Sequence, residues 1–301
     1  MSAAALRIAP PTLPKNGVAE NDALHRQLAF FNRARLSPGF ADLPRRNLRD
    51  EWRMKLIEDD FIESERRGIE AVLAGVPTDA DAFIAWFEAL KETGPGQGDA
   101  LFPWLGTTAT YRQMRWFLHQ EVAGEAGFED LVALTQLKMP ERVKLELARN
   151  YWDEMGRGNA SGMHGPMLGR LAAAFGVAPT PETTVWESLA LGNLMVALAA
   201  NRHYAYQSIG ALGAIELTAP GRAVHVAEAL RRLGLDGKSR VYFELHATLD
   251  IRHSEAWNRE VLRPLVAENP ETARPIAEGA LLRLTAGARC FSRYRRELRL
   301  A

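Results

Sequence analysis

The sequence predicts an all-α protein, and three observations carry that reading. Leucine and alanine greatly outnumber valine and isoleucine, strict alternation of apolar and polar residues is hard to find, and helix-start signals recur. Thr180-Pro181-Glu182 and Asn269-Pro270-Glu271 each set a capping residue before a proline at the first helical position, and Met139-Pro140-Glu141 and Pro220 read as further starts. Helices are therefore expected over 22–35, 47–75, 79–92, 108–125, 141–155, 182–217, 220–233, 239–262 and 271–298. Residues 1–20 contain proline and alanine without periodicity and read as an N-terminal arm. Gly94-Pro95-Gly96-Gln97-Gly98 is the clearest interior loop, but it is short, so 21–301 is expected to form one domain.

Composition narrows the function classes. A chain of 301 residues buries an ample core without metal or disulfide staples. Its 47% hydrophobic and 25% charged residues are ordinary for a globular protein. Lys plus Arg and Asp plus Glu both number 37, which gives no reason to expect nucleic-acid or anionic-membrane binding. The single cysteine, Cys290, excludes an internal disulfide framework and a Cys-rich zinc or iron–sulfur site. The longest apolar stretch, 189–200, is interrupted by Asn193 and is too short to span a bilayer. Residues 1–15 lack the pattern of a signal peptide, so a cytoplasmic setting is expected.

The chemistry concentrates in 239–262. On a helical wheel Glu244, Thr248, Arg252, Glu255 and Arg259 form a polar stripe suited to water. Opposite them lie Tyr242, His246, Leu249, Asp250, His253 and Trp257, which aims two imidazoles and a carboxylate inward. A buried carboxylate needs a counter-charge, supplied either by the histidines themselves or by a metal. Three ligands on one helix are too few, and further candidates lie upstream. Glu154 ends an apolar pattern (Leu145, Leu147, Ala148, Tyr151, Trp152) and precedes Gly156-Arg157-Gly158, and His164 follows ten residues after it. A glycine-rich interruption there lets the backbone bend so that both side chains converge. Glu216 lies deep in an apolar helix, and Glu121 follows the aromatic stretch Trp116-Phe117, with Glu125 one turn further as its alternative. Four carboxylates and three neutral imidazoles carry a formal charge of −4, which two divalent cations cancel. Such mixed ligation suits iron or manganese. The paired Glu-x-x-His motifs of ferritin-like bundles are absent.

This set resembles the haem-oxygenase-like di-iron oxidases, a family of iron-containing redox enzymes. The residues that carry the likeness are Glu121 in FLHQEV, Glu154 and His164 in YWDEMGRGNASGMH, Glu216 in GALGAIE, and His246, Asp250 and His253 in FELHATLDIRH. It covers about 110–262. The resemblance implies a haem-oxygenase-like bundle of about seven core helices with an N-terminal extension, usually dimeric, holding two iron ions, with manganese as the alternative metal. It further implies a dioxygen-dependent oxidase or oxygenase acting through a peroxo-level di-iron intermediate on a small amine, amino acid or fatty-acid-like substrate, with an external electron donor as a further partner. Arg202, fourteen residues before Glu216, and Trp257 are candidate substrate contacts. Gly210 and Gly213 either leave room for a ligand or admit a neighbouring helix. The competing readings are a metal-free thiaminase-like hydrolase using Cys290, a haem protein ligated by His25, and a non-enzymatic helical binding protein.

Overall fold

Local capping and buried apolar faces set out the helices. In the computed structural model, which describes residues 17–38, 47–125 and 127–300, the chain begins with α1 (Val18–Leu36), α2 (Leu48–Leu73), α3 (Ala80–Thr93) and α4 (Leu101–Thr107). It continues through α5 (Tyr111–Gly124), α6 (Phe128–Thr135) and α7 (Glu141–Glu154) to a glycine-rich loop. Then follow α8 (His164–Ala174), α9 (Trp186–Ala200), α10 (Ala205–Arg232), α11 (Gly237–Trp257), α12 (Arg263–Glu268) and α13 (Ala273–Leu298). No strand occurs among the described residues, so the fold is all-α as the sequence predicts. The side chains of Asn47, Asp79, Thr110 and Asp236 accept hydrogen bonds from free backbone N–H groups and start α2, α3, α5 and α11.

Helix α10 is the axis of the core and packs on α4, α9, α11 and α13. Its approach to α13 requires glycine on both sides. A Cβ on Gly210 would lie 1.8 Å from the Ile276 carbonyl oxygen, and one on Gly279 would lie 1.8 Å from that of Gln207. Gly213 sits against the Trp257 indole, where a Cβ would come within 2.7 Å of Nε1. Both glycines of the Glu216 helix therefore admit neighbouring groups of the protein.

The structure departs from the sequence expectation at several places. The expected arm, 1–20, lies outside the described residues up to 16, and α1 already begins at Val18. The break between α9 and α10 falls at 201–204, where the Asn201 side chain caps a 3₁₀ turn, and Pro220 lies inside α10. Thr180 makes a turn, not a helix start, because its carbonyl is taken by the Thr184 hydroxyl. Short helices α4, α6 and α8 are additional. Helix α11 passes through a π-helical turn, Asn258–Leu262, into α12. Among the described residues no helix is long and apolar enough to cross a membrane.

Candidate metal centre

Helix α7 buries Val143, Glu146, Leu147, Asn150 and Glu154, a three- and four-residue repeat that turns Glu154 inward, while Leu145 and Trp152 face outward. The chain then folds back on itself. Gly156 has φ +61°, a Cβ there would meet the Gly162 carbonyl carbon at 2.4 Å, and Met155 and Met163 pair as an antiparallel bridge. Only glycine allows both the backbone angle and the close approach. This closed loop delivers His164, the first residue of α8, beside Glu154. His164 Nδ1 lies 2.5 Å from Glu154 Oε2, both buried.

From α11 comes the expected inward stripe. Tyr242, Asp250, His253 and Trp257 are buried and His246 nearly so, while Thr248, Arg252, Glu255 and Arg259 are exposed. His246 Nδ1 donates to the Tyr242 carbonyl at 2.7 Å, which leaves Nε2 as its acceptor. The His246 ring stands edge-on to His164 with centroids 4.7 Å apart. His253 Nε2 donates to Asp153 Oδ2 at 3.2 Å, and its Nδ1 faces Glu216 Oε1 at 3.4 Å. Glu216, on α10, accepts from Asn150 Nδ2 at 2.6 Å.

Two donor groups result, Glu154 with His164 and His246, and Glu154 with Glu216 and His253. Within each group the ligand atoms lie within 4.8 Å of one another. Glu154 belongs to both. His164 Nδ1, His253 Nδ1 and Asp250 Oδ1 are buried with no hydrogen-bond partner among the described residues. Buried polar atoms rarely stay unpaired, and here the orphans converge on one place. Carboxylate and imidazole donors in this arrangement fit iron. Asp153 and the Tyr242 carbonyl hold two of the imidazoles by their other ring nitrogen, as supports of metal ligands do.

Burial dominates the electrostatics of the cluster. Burial, with Glu216 beside it, holds the Glu154 carboxyl well above its usual range, and the same two causes raise Asp250. Burial pulls His164 and His246 down to about 4, with a neighbouring imidazole acting in the same direction. Burial opposes charge on His253 too, but Glu216 and Asp153 outweigh it and raise its pKa to about 9.

A cavity of about 110 Å³ adjoins this cluster, lined among others by Glu121, Glu125, Glu154, Glu216, His246 and Asp250. The two glutamates of the α5 end differ in surroundings. Glu125 is exposed as a residue and lines the cavity; close packing around its carboxyl pushes it up to about 7, with Tyr242 beside it and Glu121 and Glu154 close enough to repel it. Glu121 is raised by burial and lies by Tyr294, Arg222 and Arg283. Of the seven expected ligands, Glu154, His164, Glu216, His246 and His253 make up the two donor groups, and Asp250 and Glu121 line the adjoining cavity.

Other expected residues lie elsewhere. Arg202 is an exposed residue of the 3₁₀ turn before α10, and its guanidinium binds the carbonyls of Leu134, Thr135 and Leu137 at the end of α6. Fourteen residues from Glu216 is about 21 Å along a helix, so this arginine does not reach the cavity. Trp257 is fully buried against Gly213 and lies outside the cavity wall. Cys290 is buried, its thiol donates to the Glu187 carbonyl at 3.2 Å, and burial pushes its pKa up to about 12, which disqualifies it as a nucleophile. His25 is stacked on Trp186 and edge-on to Phe61, away from the cavity, and burial holds it neutral. Sequence spacing missed Asp153, Asn150, Arg222 and Arg283. The first two were readable as polar residues on the inward face of α7, and Arg283 as the one charge in Leu281-Leu282-Arg283-Leu284.

An all-α bundle with histidines and carboxylates gathered on its central helices defines a class of metal-dependent redox protein. The chain belongs to the iron-containing redox enzyme family, whose model matches residues 115–288, from α5 into α13. All the residues of the cluster fall in that span. A solved structure, a CADD-like protein of unknown function from Nostoc punctiforme, is similar at 17% identity over 81% of this chain and 96% of that chain, with a TM-score of 0.48. No curated protein matches this chain.

Proposed function

We propose that the chain is a non-haem di-iron oxidoreductase that uses dioxygen to oxidise a small molecule of amine, amino-acid or fatty-acid type. The observation that carries this reading is the sharing of Glu154 by two groups of buried donors. One carboxylate serving two cation positions calls for a dinuclear site. When bound, two ferrous ions supply electrons and open coordination positions for dioxygen. The residues proposed to hold them are Glu154, His164, Glu216, His246, Asp250 and His253, with Glu125 in place of Glu121 as the carboxylate from the end of α5. Family membership supports iron over manganese.

The protein's own contribution is orientation and exclusion of water. The Tyr242 carbonyl fixes the His246 tautomer, and Asp153 accepts the hydrogen bond of His253 Nε2. Asn150 holds one oxygen of Glu216. Phe128, Leu168 and Phe243 wall the cavity and keep the reacting end of a substrate dry. An external electron donor, a cytoplasmic setting and a homodimer complete the proposal. It is tested by loading the protein anaerobically with ferrous iron and admitting dioxygen. Oxygen uptake in proportion to bound iron, lost in His246→Ala, supports it. Bound iron that leaves dioxygen untouched refutes it.

A further inference from the structure

We propose that the cavity takes a small organic carboxylate, gripped by Arg222 and Arg283, with its apolar body turned towards the histidine–carboxylate cluster. This assignment of substrate class rests on the metal-centre reading above. Both arginines line the cavity, Arg222 from α10 and Arg283 from α13. Neither makes a hydrogen bond or a contact ion pair among the described residues, although the Glu121 carboxylate is near enough to attract both. Two other inward-facing arginines among the described residues, Arg289 and Arg35, are paired with carboxylates. Arg289 forks onto both oxygens of Glu65 at 2.8 and 2.7 Å, and Arg35 onto those of Glu58 at 3.0 and 2.5 Å. A planar fork of donors left without a partner at a cavity wall matches a carboxylate in both shape and charge.

Three further observations agree. Arg222 and Arg283 repel each other, and burial with that repulsion lowers the pKa of Arg222 to about 10. The pair is therefore not a device for holding the helices together. Arg222 is positioned instead by the rings of Phe102 and Phe291, 5.9 and 5.5 Å from its guanidinium carbon. The charge count points the same way. Five carboxylates of the cavity wall face these two arginines, and two divalent cations would leave one positive charge, which a monocarboxylate cancels. Finally, Phe102, Glu216 and Arg222 also line an open cleft of about 660 Å³, so Arg222 stands where cleft and cavity meet.

The placement sets the direction of the substrate. Arg222 lies six residues beyond Glu216 on α10, about 9 Å along the helix. Arg283 comes from a helix that offers none of the candidate ligands. An acid held by both presents to the cluster an atom several bonds away from its carboxyl carbon.

The test is calorimetric, on zinc-loaded protein, with hexanoate and benzoate against hexanamide and benzamide, and with metal content measured on the same samples. The acids should bind about ten-fold or more tighter than the amides. That preference should vanish in Arg222→Gln and Arg283→Gln and return in part in Arg283→Lys. Equal binding of acid and amide by the wild-type protein overturns the proposal, and needs no variant to fold. So does a preference that survives both glutamine variants, which would place the carboxylate on the metals. Inorganic phosphate binding as tightly as the acids, and lost in the same variants, also overturns it. Two metals per chain with no acid preference leaves the metal centre standing and removes the carboxylate grip. An acid preference in protein that binds no metal does the reverse.

Discussion

Glu154 Oε2 and His164 Nδ1 stand 2.5 Å apart across a closed loop, yet His164 Nδ1 has no aligned hydrogen bond. Two acceptors held this close and unshared describe a vertex waiting for a cation. The loop that sets this distance is covalently local, between α7 and α8, while the remaining donors arrive on α10 and α11. Loop geometry and helix packing can therefore be perturbed separately.

Gly156→Ala perturbs the loop alone. Its Cβ would collide with the Gly162 backbone at a φ of +61°, so the segment must open. A loss of about 1–3 kcal/mol in unfolding free energy is expected, within the range of stored backbone strain. One of two metals should be lost with it. Urea denaturation with metal analysis reads both, and an unchanged variant contradicts the role assigned to the loop.

The α5 end offers Glu125 and Glu121. Glu125→Ala is expected to lower iron stoichiometry or affinity, because Glu125 lies by Tyr242 and is repelled by Glu154 as well as by Glu121. Glu121→Ala should leave iron loading nearly intact, because its neighbours are Tyr294 and the two arginines. Iron titration of both variants decides, and the opposite ranking restores Glu121 to the ligand set.

Asp153 is expected to act through His253. Asp153→Asn removes the charge that faces His253 Nε2 and should weaken metal binding by about 10–100-fold. Overall fold, read by circular dichroism, should persist because Asp153 is partly exposed and otherwise bonds only Arg157. Undiminished affinity would show that the histidine is oriented by other means.

Metal binding should release protons and strengthen as pH rises. His253, raised to about 9, is protonated from pH 5.5 to 7.5, and Glu125, raised to about 7, is protonated at the lower end. His164 and His246, lowered to about 4, are already neutral across that window. In the metal-free protein the raised Glu125 favours the fold fully below its unfolded value of 4.5 and loses that contribution as pH rises through about 7. The rise in Tm on adding ferrous iron should accordingly be larger at pH 7.5 than at 5.5. An equal or smaller rise at pH 7.5 counts against cations among these groups.

Much of this centre was legible because helical periodicity is a local property. The steps from His246 to Asp250 to His253 put all three on one face whatever packs against it, and two glycines after Glu154 announce a turn. Supports such as Asp153 and Asn150 were not legible as supports, because their roles depend on how α7 meets α11 and α10. Arg222 and Arg283, 61 positions apart, meet only through the packing of α10 on α13. Arg202 was chosen by its place before Glu216 in one expected helix, and three backbone carbonyls at the end of α6 claim it instead. The break at 201–204 was missed because Pro220 looked like the stronger punctuation. A proline inside α10 forfeits one N–H to the carbonyl of Glu216, and tertiary packing around the core helix outweighs that loss. The short helices α4, α6 and α8 give too few turns for a periodic signal.

The central claim is a pair of iron ions joined by Glu154, and iron content per chain tests it most directly. After anaerobic loading with ferrous iron and removal of excess metal, the wild-type protein should hold two irons per chain, and Glu154→Ala should hold fewer than one, because both donor groups lose a member. One iron in the wild-type protein, or two retained in Glu154→Ala, would contradict the account.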